Sequence, residues 1–165
     1  MNQKIRLNKY ISNSGICSRR EADKYIKAGL VSVNNKVVIE MGFRVNENDI
    51  IKFSGEKINI GKKIYVLLNK PKNYITTTKD PRNRKTVMEL IKNASKTRIY
   101  PVGRLDRKTT GLLLFTNDGE VAARLTHPKY KIEKLYHVVL DKNLKKKDYE
   151  EILKGLNLED GKAIV

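Results

Sequence analysis

Residues 54–63, Ser-Gly-Glu-Lys-Ile-Asn-Ile-Gly-Lys-Lys, are polar and carry two glycines, and they break the apolar pattern of the chain into two parts. Each part must then close its own core, so 165 residues become two small modules rather than one layered domain. The first is expected over 1–57, the linker over 58–63 and the second over 64–165.

The first part opens with Leu7, Tyr10 and Ile11 at helical spacing across residues 6–14. Ser18 followed by Glu21 forms a capping box and starts a second helix. That helix carries Ala22, Tyr25 and Ile26 on one face, and Gly29 sits where a helix C′ glycine belongs. Val31-Ser32-Val33 and Lys36-Val37-Val38 flank Asn34-Asn35, the composition of a tight hairpin turn. Ile50 to Phe53 adds a short strand. Two helices and a small sheet follow from these signals.

In the second part the branched run Ile64 to Asn69 predicts a strand that ends at Lys70-Pro71. Further strands are expected at Tyr74–Thr78, Arg98–Val102, Leu112–Thr116 and Lys134–Leu140. Short helices are expected around Val87–Ile91, Glu120–Leu125 and Asp148–Lys154, the last stopped by Gly155. Asn117-Asp118-Gly119 reads as a turn, and Asp160-Gly161 as the turn of a hairpin from Leu156 to Val165. The fold class is α+β: a small αα/β module followed by a mixed or antiparallel sheet with helices.

Charge narrows the partners. Lys and Arg number 35 against 18 Asp and Glu, a net charge of +17. Such an excess disfavours self-association and favours a polyanion, which points to a monomer. Apolar runs reach about five residues, far short of the roughly 20 that span a bilayer, so no membrane partner is expected. The N-terminus has no apolar signal core, and the chain reads as cytoplasmic. One cysteine, Cys17, and two histidines, His127 and His137, make no metal cluster, and no cofactor is expected. His127 before Pro128 is expected to fix a turn.

The basic residues of the first part gather on its helices. Arg19, Arg20, Lys24 and Lys27 lie on the second, Arg6 and Lys9 on the first. Arg20 and Lys24 are four apart and share a face. Such a face either rests on phosphates or is simply solvated. In the second part the densest segment runs from Tyr100 to Gly119 and holds Gly103-Arg104-Leu105-Asp106. Asp106 sits among Arg104, Arg107 and Lys108. A loop aspartate so placed can cap a turn, pair with a neighbouring arginine, or act on a substrate. An ordinary Asp, with a pKa of about 3.9, is already ionised at pH 7, so the cations add no nucleophile; they position the carboxylate and hold substrate.

The order helix, Ser-Arg-Arg-Glu-Ala, helix, Gly-Leu-Val-x-Val-Asn, turn, strand over about 4–53 resembles the S4-type RNA-binding domain. That resemblance makes Arg6, Ser18, Arg19, Arg20 and Lys24 the expected RNA contacts. The segment Tyr100–Gly119 resembles the signature of the RsuA/RluB branch of pseudouridine synthases. Tyr65-Val-Leu-Leu-Asn-Lys-Pro71, His127-Pro-Lys-Tyr130 and Lys134-Leu-Tyr136 match further motifs in order. The resemblance implies a catalytic aspartate at Asp106 and, at Tyr136, a tyrosine that packs against the target base. It places Lys70 and Arg104 at positions that support the loop and RNA, and Lys134 at a motif position without an assigned role. It also implies further strands and another basic residue beyond residue 165, so the catalytic domain reads as incomplete at its C-terminus.

The implied activity is isomerisation of a uridine in ribosomal RNA to pseudouridine, leaning towards the large subunit. The N1–C1′ bond breaks, the uracil turns, and C5 joins C1′; no metal, redox group or nucleotide is consumed. A carboxylate can do this by adding to the base or by acting at the ribose. The target nucleotide must flip out of its helix. Spacing alone leaves Tyr136 equally readable as a core residue. The alternatives are a non-catalytic S4-type RNA-binding or ribosome-associated factor, and a hydrolase, for which no second carboxylate is placed by motif.

Overall fold

The computed structural model describes residues 4–159 and 161–163, and divides into two compact units, 1–132 and 133–165. In the first, β1 (Ile5–Arg6) leads into α1 (Leu7–Asn13), followed by α2 (Arg19–Lys27), β2 (Val31–Val33), β3 (Lys36–Val37), β4 (Arg44–Val45), β5 (Ile51–Phe53) and β6 (Glu56–Lys57). The capping box forms as expected. Glu21 N–H donates to Ser18 Oγ at 3.3 Å, and Ser18 N–H donates to a Glu21 carboxylate oxygen at 2.9 Å. The Ser18 N–H and hydroxyl hold the Glu21 carboxyl down at about 2.

Strands β3-β2-β5-β6 form one antiparallel sheet, and β1 pairs with β4. Asn34 and Asn35 both adopt positive φ, 51° and 66°, which a two-residue type I′ turn requires and which asparagine tolerates. Part of the polar stretch at 54–63 is not linker: Ser54-Gly55 is a second such turn, and it folds β6 back onto β5. Leu7, Ile11, Ala22, Ile26, Val31, Val45 and Ile51 close the first core. Each large member contributes about 1.5–3 kcal/mol by burial.

The rest of the first unit is built on a second sheet, ordered β7-β9-β8, from β7 (Tyr65–Lys70), β8 (Tyr100–Val102) and β9 (Gly111–Thr116). All its pairings are antiparallel. α3 (Val87–Leu90) precedes β8, and α4 (Gly119–Thr126) follows β9. The register sets Val66 opposite Phe115 and Leu68 opposite Leu113, which puts these four on one face. That face packs with Val87, Ile91 and Ile99 into a second, separate core. The opposite face carries Tyr65, Leu67 and Leu112, all exposed.

Two strand expectations fail. Tyr74–Thr78 forms no strand, and a single bridge joins Ile75 to Thr86. Lys134–Leu140 is irregular. Both segments have strand-like composition, but neither pairs with a described strand, and a strand without a ladder leaves its backbone unpaired.

The second unit holds α5 (Lys146–Lys154), ended by Gly155, then the antiparallel hairpin of β10 (Leu156–Leu158) and β11 (Gly161–Ala163). The expected turn residue Asp160 and the end at Val165 lie outside the described residues. Among the described residues no helix is long and apolar enough to cross a membrane.

Candidate active site

The loop between β8 and β9 is tied down by its backbone. Lys70 is fully buried. Its Nζ donates to three carbonyls: Thr109 at 2.7 Å, Asp106 at 3.0 Å and Pro71 at 3.1 Å. The Thr76 hydroxyl donates to the Leu105 carbonyl at 2.7 Å and accepts from the Leu105 N–H at 3.2 Å. Asn73 N–H donates to the Arg107 carbonyl at 2.8 Å, and Thr109 N–H to that of Asp106 at 3.1 Å. Leu105 itself packs against the second core. Gly103 enters the loop at φ 75°, a region open to glycine. Residues 105–107 thus have every carbonyl held.

Against this fixed backbone the Asp106 side chain is exposed, and its carboxylate makes no hydrogen bond or ion pair among the described residues. The carboxylate caps no turn; the carbonyl of Asp106 takes the turn bond instead. Arg104, Arg107 and Lys108 are exposed and none pairs with it. The turn-cap and arginine-pair readings of this residue therefore find no support in the geometry. Burial pushes the Lys70 amine down, and the Asp106 charge opposes that shift, so the two groups lie within electrostatic reach.

Lys70 requires a correction. Its expected place among RNA contacts conflicts with zero exposure and with all three amine protons being given to carbonyls. The support it gives to the loop is as expected. The alternation Val66, Leu68, Lys70 along β7 turns it inward, and this was readable in the sequence. Thr76 was missed. Its contact spans 29 residues and no local pattern announces it.

Asp118 also differs from the plain turn residue expected. It is buried and N-caps α4, accepting from Glu120 N–H at 3.0 Å and Val121 N–H at 3.3 Å. Lys63 and the Tyr65 hydroxyl each reach its other oxygen at 2.8 Å. Burial alone would raise its pKa, but these four donors outweigh burial and bring it to about 2. It anchors the start of β7 to the end of β9. His127 fixes a turn as expected, its Nδ1 accepting from Lys129 N–H at 3.2 Å.

On the helix pair, Arg6, Arg19, Arg20 and Lys24 are exposed, and none has a carboxylate partner among the described residues. Arg6 stands opposite Arg44 across β1 and β4, a like-charge pair that disfavours folding and suits an anion. Ser18 is half-buried and its N–H and hydroxyl are both engaged with Glu21 in the capping box. Arg104 begins the Asp106 loop and is exposed. Tyr136 belongs to the second unit, in the irregular stretch before α5, with its ring exposed. No group of three or more metal-ligating side chains occurs among the described residues, and Cys17 is buried. A cavity of about 500 Å³ lies along Tyr10, Lys63 and Asp118 and contains no residue of the Asp106 loop, so cavity size does not mark this site.

A buried lysine and a threonine hold a loop rigid beneath one free carboxylate, behind a cation-faced helix pair, and comparison with known proteins gives this arrangement a family. Residues 64–162 match the family model for RNA pseudouridylate synthase, and residues 5–51 match the S4 domain. The chain belongs to the RNA pseudouridylate synthase family. It is 45% identical over 158 residues to the ribosomal large subunit pseudouridine synthase B of Bacillus subtilis. It is 44% identical over 161 residues to a protein of Aquifex aeolicus named as an uncharacterized RNA pseudouridine synthase. Each alignment covers 96% of this chain and 64% of the relative, so the chain spans 64% of the length of these curated relatives. A solved pseudouridylate synthase aligns at 31% identity over 76% of this chain and 54% of its own, with a TM-score of 0.42.

Proposed function

We propose that the protein carrying this chain converts a uridine of ribosomal RNA to pseudouridine, with Asp106 as the catalytic nucleophile. The observation that carries this reading is the contrast at Asp106, between a loop whose carbonyls at residues 105–107 are all held and a carboxylate with no partner among the described residues. A fixed reactive group spends no reorganisation on reaching its substrate. Family membership supplies the reaction: N1–C1′ cleavage, rotation of the uracil, and C5–C1′ bond formation, with every atom retained. The base is flipped out of its helix and packs against Tyr136. Arg104 and the exposed cations of the helix pair, Arg6, Arg19, Arg20 and Lys24, meet phosphate, with Ser18 beside them. The large subunit is the preferred target, in keeping with the name of the Bacillus subtilis relative.

The division into an RNA-binding module at 1–57, a linker at 58–63 and a catalytic domain from 64 to 165 is part of this reading. The two separate cores and the ranges of the two family matches support it. A cytoplasmic monomer fits the strong net positive charge, which repels a second copy.

The test is direct. The full-length protein is incubated with ribosomal RNA of both subunits and pseudouridine is mapped. Asp106→Asn, which keeps size and removes the charge, is expected to lose product formation while still binding RNA. A wild-type protein without activity, or an Asn variant with unchanged activity, refutes the assignment; RNA binding without modification by the wild type would instead identify a non-catalytic RNA-binding factor.

A further inference from the structure

Arg98 is a half-buried cation whose guanidinium has no carboxylate or carbonyl partner among the described residues. It sits 5.6 Å from the centre of the Tyr100 ring, which steadies its plane without neutralising its charge. Charges withdrawn from water are ordinarily paired. Arg98 instead lines a groove of about 430 Å³ that Arg19 also lines, so two like charges from different modules share one opening. No Asp or Glu is among the lining residues. Burial pushes the Tyr100 hydroxyl up, and Arg98, Asp118 and Arg19 all lie near enough to act on it. Ser12 and Ser18 add hydroxyls to the same wall. The nearest acid of α2, Glu21, is not among the lining residues, and its carboxylate is taken up by Ser18 N–H and Lys79. At its other end the groove reaches Gly103, three residues before Asp106.

We propose that this groove, between the N-terminal end of α2 and the β8–α4 surface, seats the phosphate backbone of the RNA strand that leads to the Asp106 loop, with Arg98 and Arg19 as its paired cations. The proposal rests on the reading of the protein as an RNA-modifying enzyme and adds a binding site to it. Arg19 also donates to the neutral Asn8 side chain at 3.4 Å and keeps its charge unpaired; two arginines lining one opening suit a phosphodiester, which accepts on two oxygens and carries the missing charge. The groove continues the cationic face of α2 towards the reactive loop, so the module that grips RNA also aims it. Arg98 lies two residues before β8, the strand that feeds the Asp106 loop, so a phosphate held there is placed relative to the carboxylate itself.

The experiment measures binding of full-length protein to ribosomal RNA transcripts as a function of salt. Arg98→Gln and Arg19→Gln are each expected to weaken binding several-fold and to reduce the salt slope by about one. Because losing Arg98 also disturbs Tyr100, a second variant adds charge from the opposite wall. Ala123 is exposed on α4 and lines the groove, and glutamate suits a helix. Ala123→Glu is expected to weaken binding on the order of tenfold, because it sets a carboxylate against the phosphate. Unchanged affinity in Ala123→Glu overturns the proposal whatever Arg98→Gln does. So do wild-type affinity and slope in both arginine variants. If wild-type protein forms no pseudouridine yet all three variants bind RNA more weakly, the catalytic reading fails and the seat stands. If wild type is active and the variants bind as it does, the seat fails alone.

Discussion

Replacing Thr76 by valine isolates the mechanical support of the site from its chemistry. Valine keeps the shape and the branched Cβ and removes one hydroxyl. That hydroxyl donates to the Leu105 carbonyl at 2.7 Å and accepts from the Leu105 N–H at 3.2 Å. Its loss strands two backbone groups in a half-buried place, and each unsatisfied group costs about 1–3 kcal/mol when fully buried. Partial exposure lets water recover some of this, which leaves a stability loss of about 2 kcal/mol. For a chain of this size that is a fall in Tm of about 4–8 °C. The effect on turnover should be larger in proportion. Leu105 is bonded directly to Asp106, and a displacement of about 1 Å at a reacting group can cost on the order of 100-fold. A fall in kcat of about 10–100-fold is therefore expected in full-length Thr76→Val, with RNA affinity little changed, because Thr76 lies beneath the loop. Thr76→Ser retains the hydroxyl and should recover most of both. The readouts are thermal unfolding and single-turnover pseudouridine formation. A Val variant with wild-type Tm and wild-type kcat would show that the two bonds do not hold the loop.

Two other perturbations probe the same framework. Lys70→Met should lower stability by about 3 kcal/mol, because three carbonyls lose one charged donor while the cost of burying that charge is relieved. The salt slope of RNA binding should stay that of the wild type, and a slope lower by about one would instead put the amine on a phosphate. Asp118, the buried member of the depressed carboxylates, contributes to acid stability. Its pKa is about 2 in the fold and about 4 when unfolded, so its contribution is full above about pH 5 and is lost as pH falls from there to about 2. The size is about 2 kcal/mol, and urea unfolding should show Asp118→Asn losing less stability than wild type between pH 6 and pH 3; parallel losses would remove Asp118 from the acid response.

What could be read in advance divides by the range of the interaction. The Ser18–Glu21 capping box, the Asn34-Asn35 turn and Gly29 after α2 are local devices, complete within three or four residues, and each forms as its residue types dictate. Tyr74–Thr78 and Lys134–Leu140 have strand composition, but pairing belongs to a neighbour's edge and not to the segment itself. Asp118 was masked by its own context, since Asn-Asp-Gly is a turn signal, while the Glu120 that follows in the first helical turn marks an N-cap. Lys70 could have been placed by continuing the β7 alternation one step beyond its last apolar residue. Thr76 could not, because its partner is set by how a loop folds back across the sheet. Asp106 itself was conspicuous through its motif, whereas its physical distinction, a carboxylate without a partner among the described residues on a loop held by its carbonyls, appears in the structure alone.

That distinction also explains the surrounding cations. Had Arg104, Arg107 or Lys108 closed on Asp106, the loop would have gained a surface ion pair of at most about 1 kcal/mol and paired off the carboxylate proposed as the nucleophile. With the loop held through carbonyls instead, every charged side chain on it faces outward and none is consumed in holding it together. Stability thereby rests on buried neutral acceptors and one buried amine, which leaves the exposed cations for the RNA binding proposed above. The two sets can change independently, so a variant that loosens the loop should lose turnover before affinity, and one that strips surface charge should lose affinity and salt dependence while the fold stays intact.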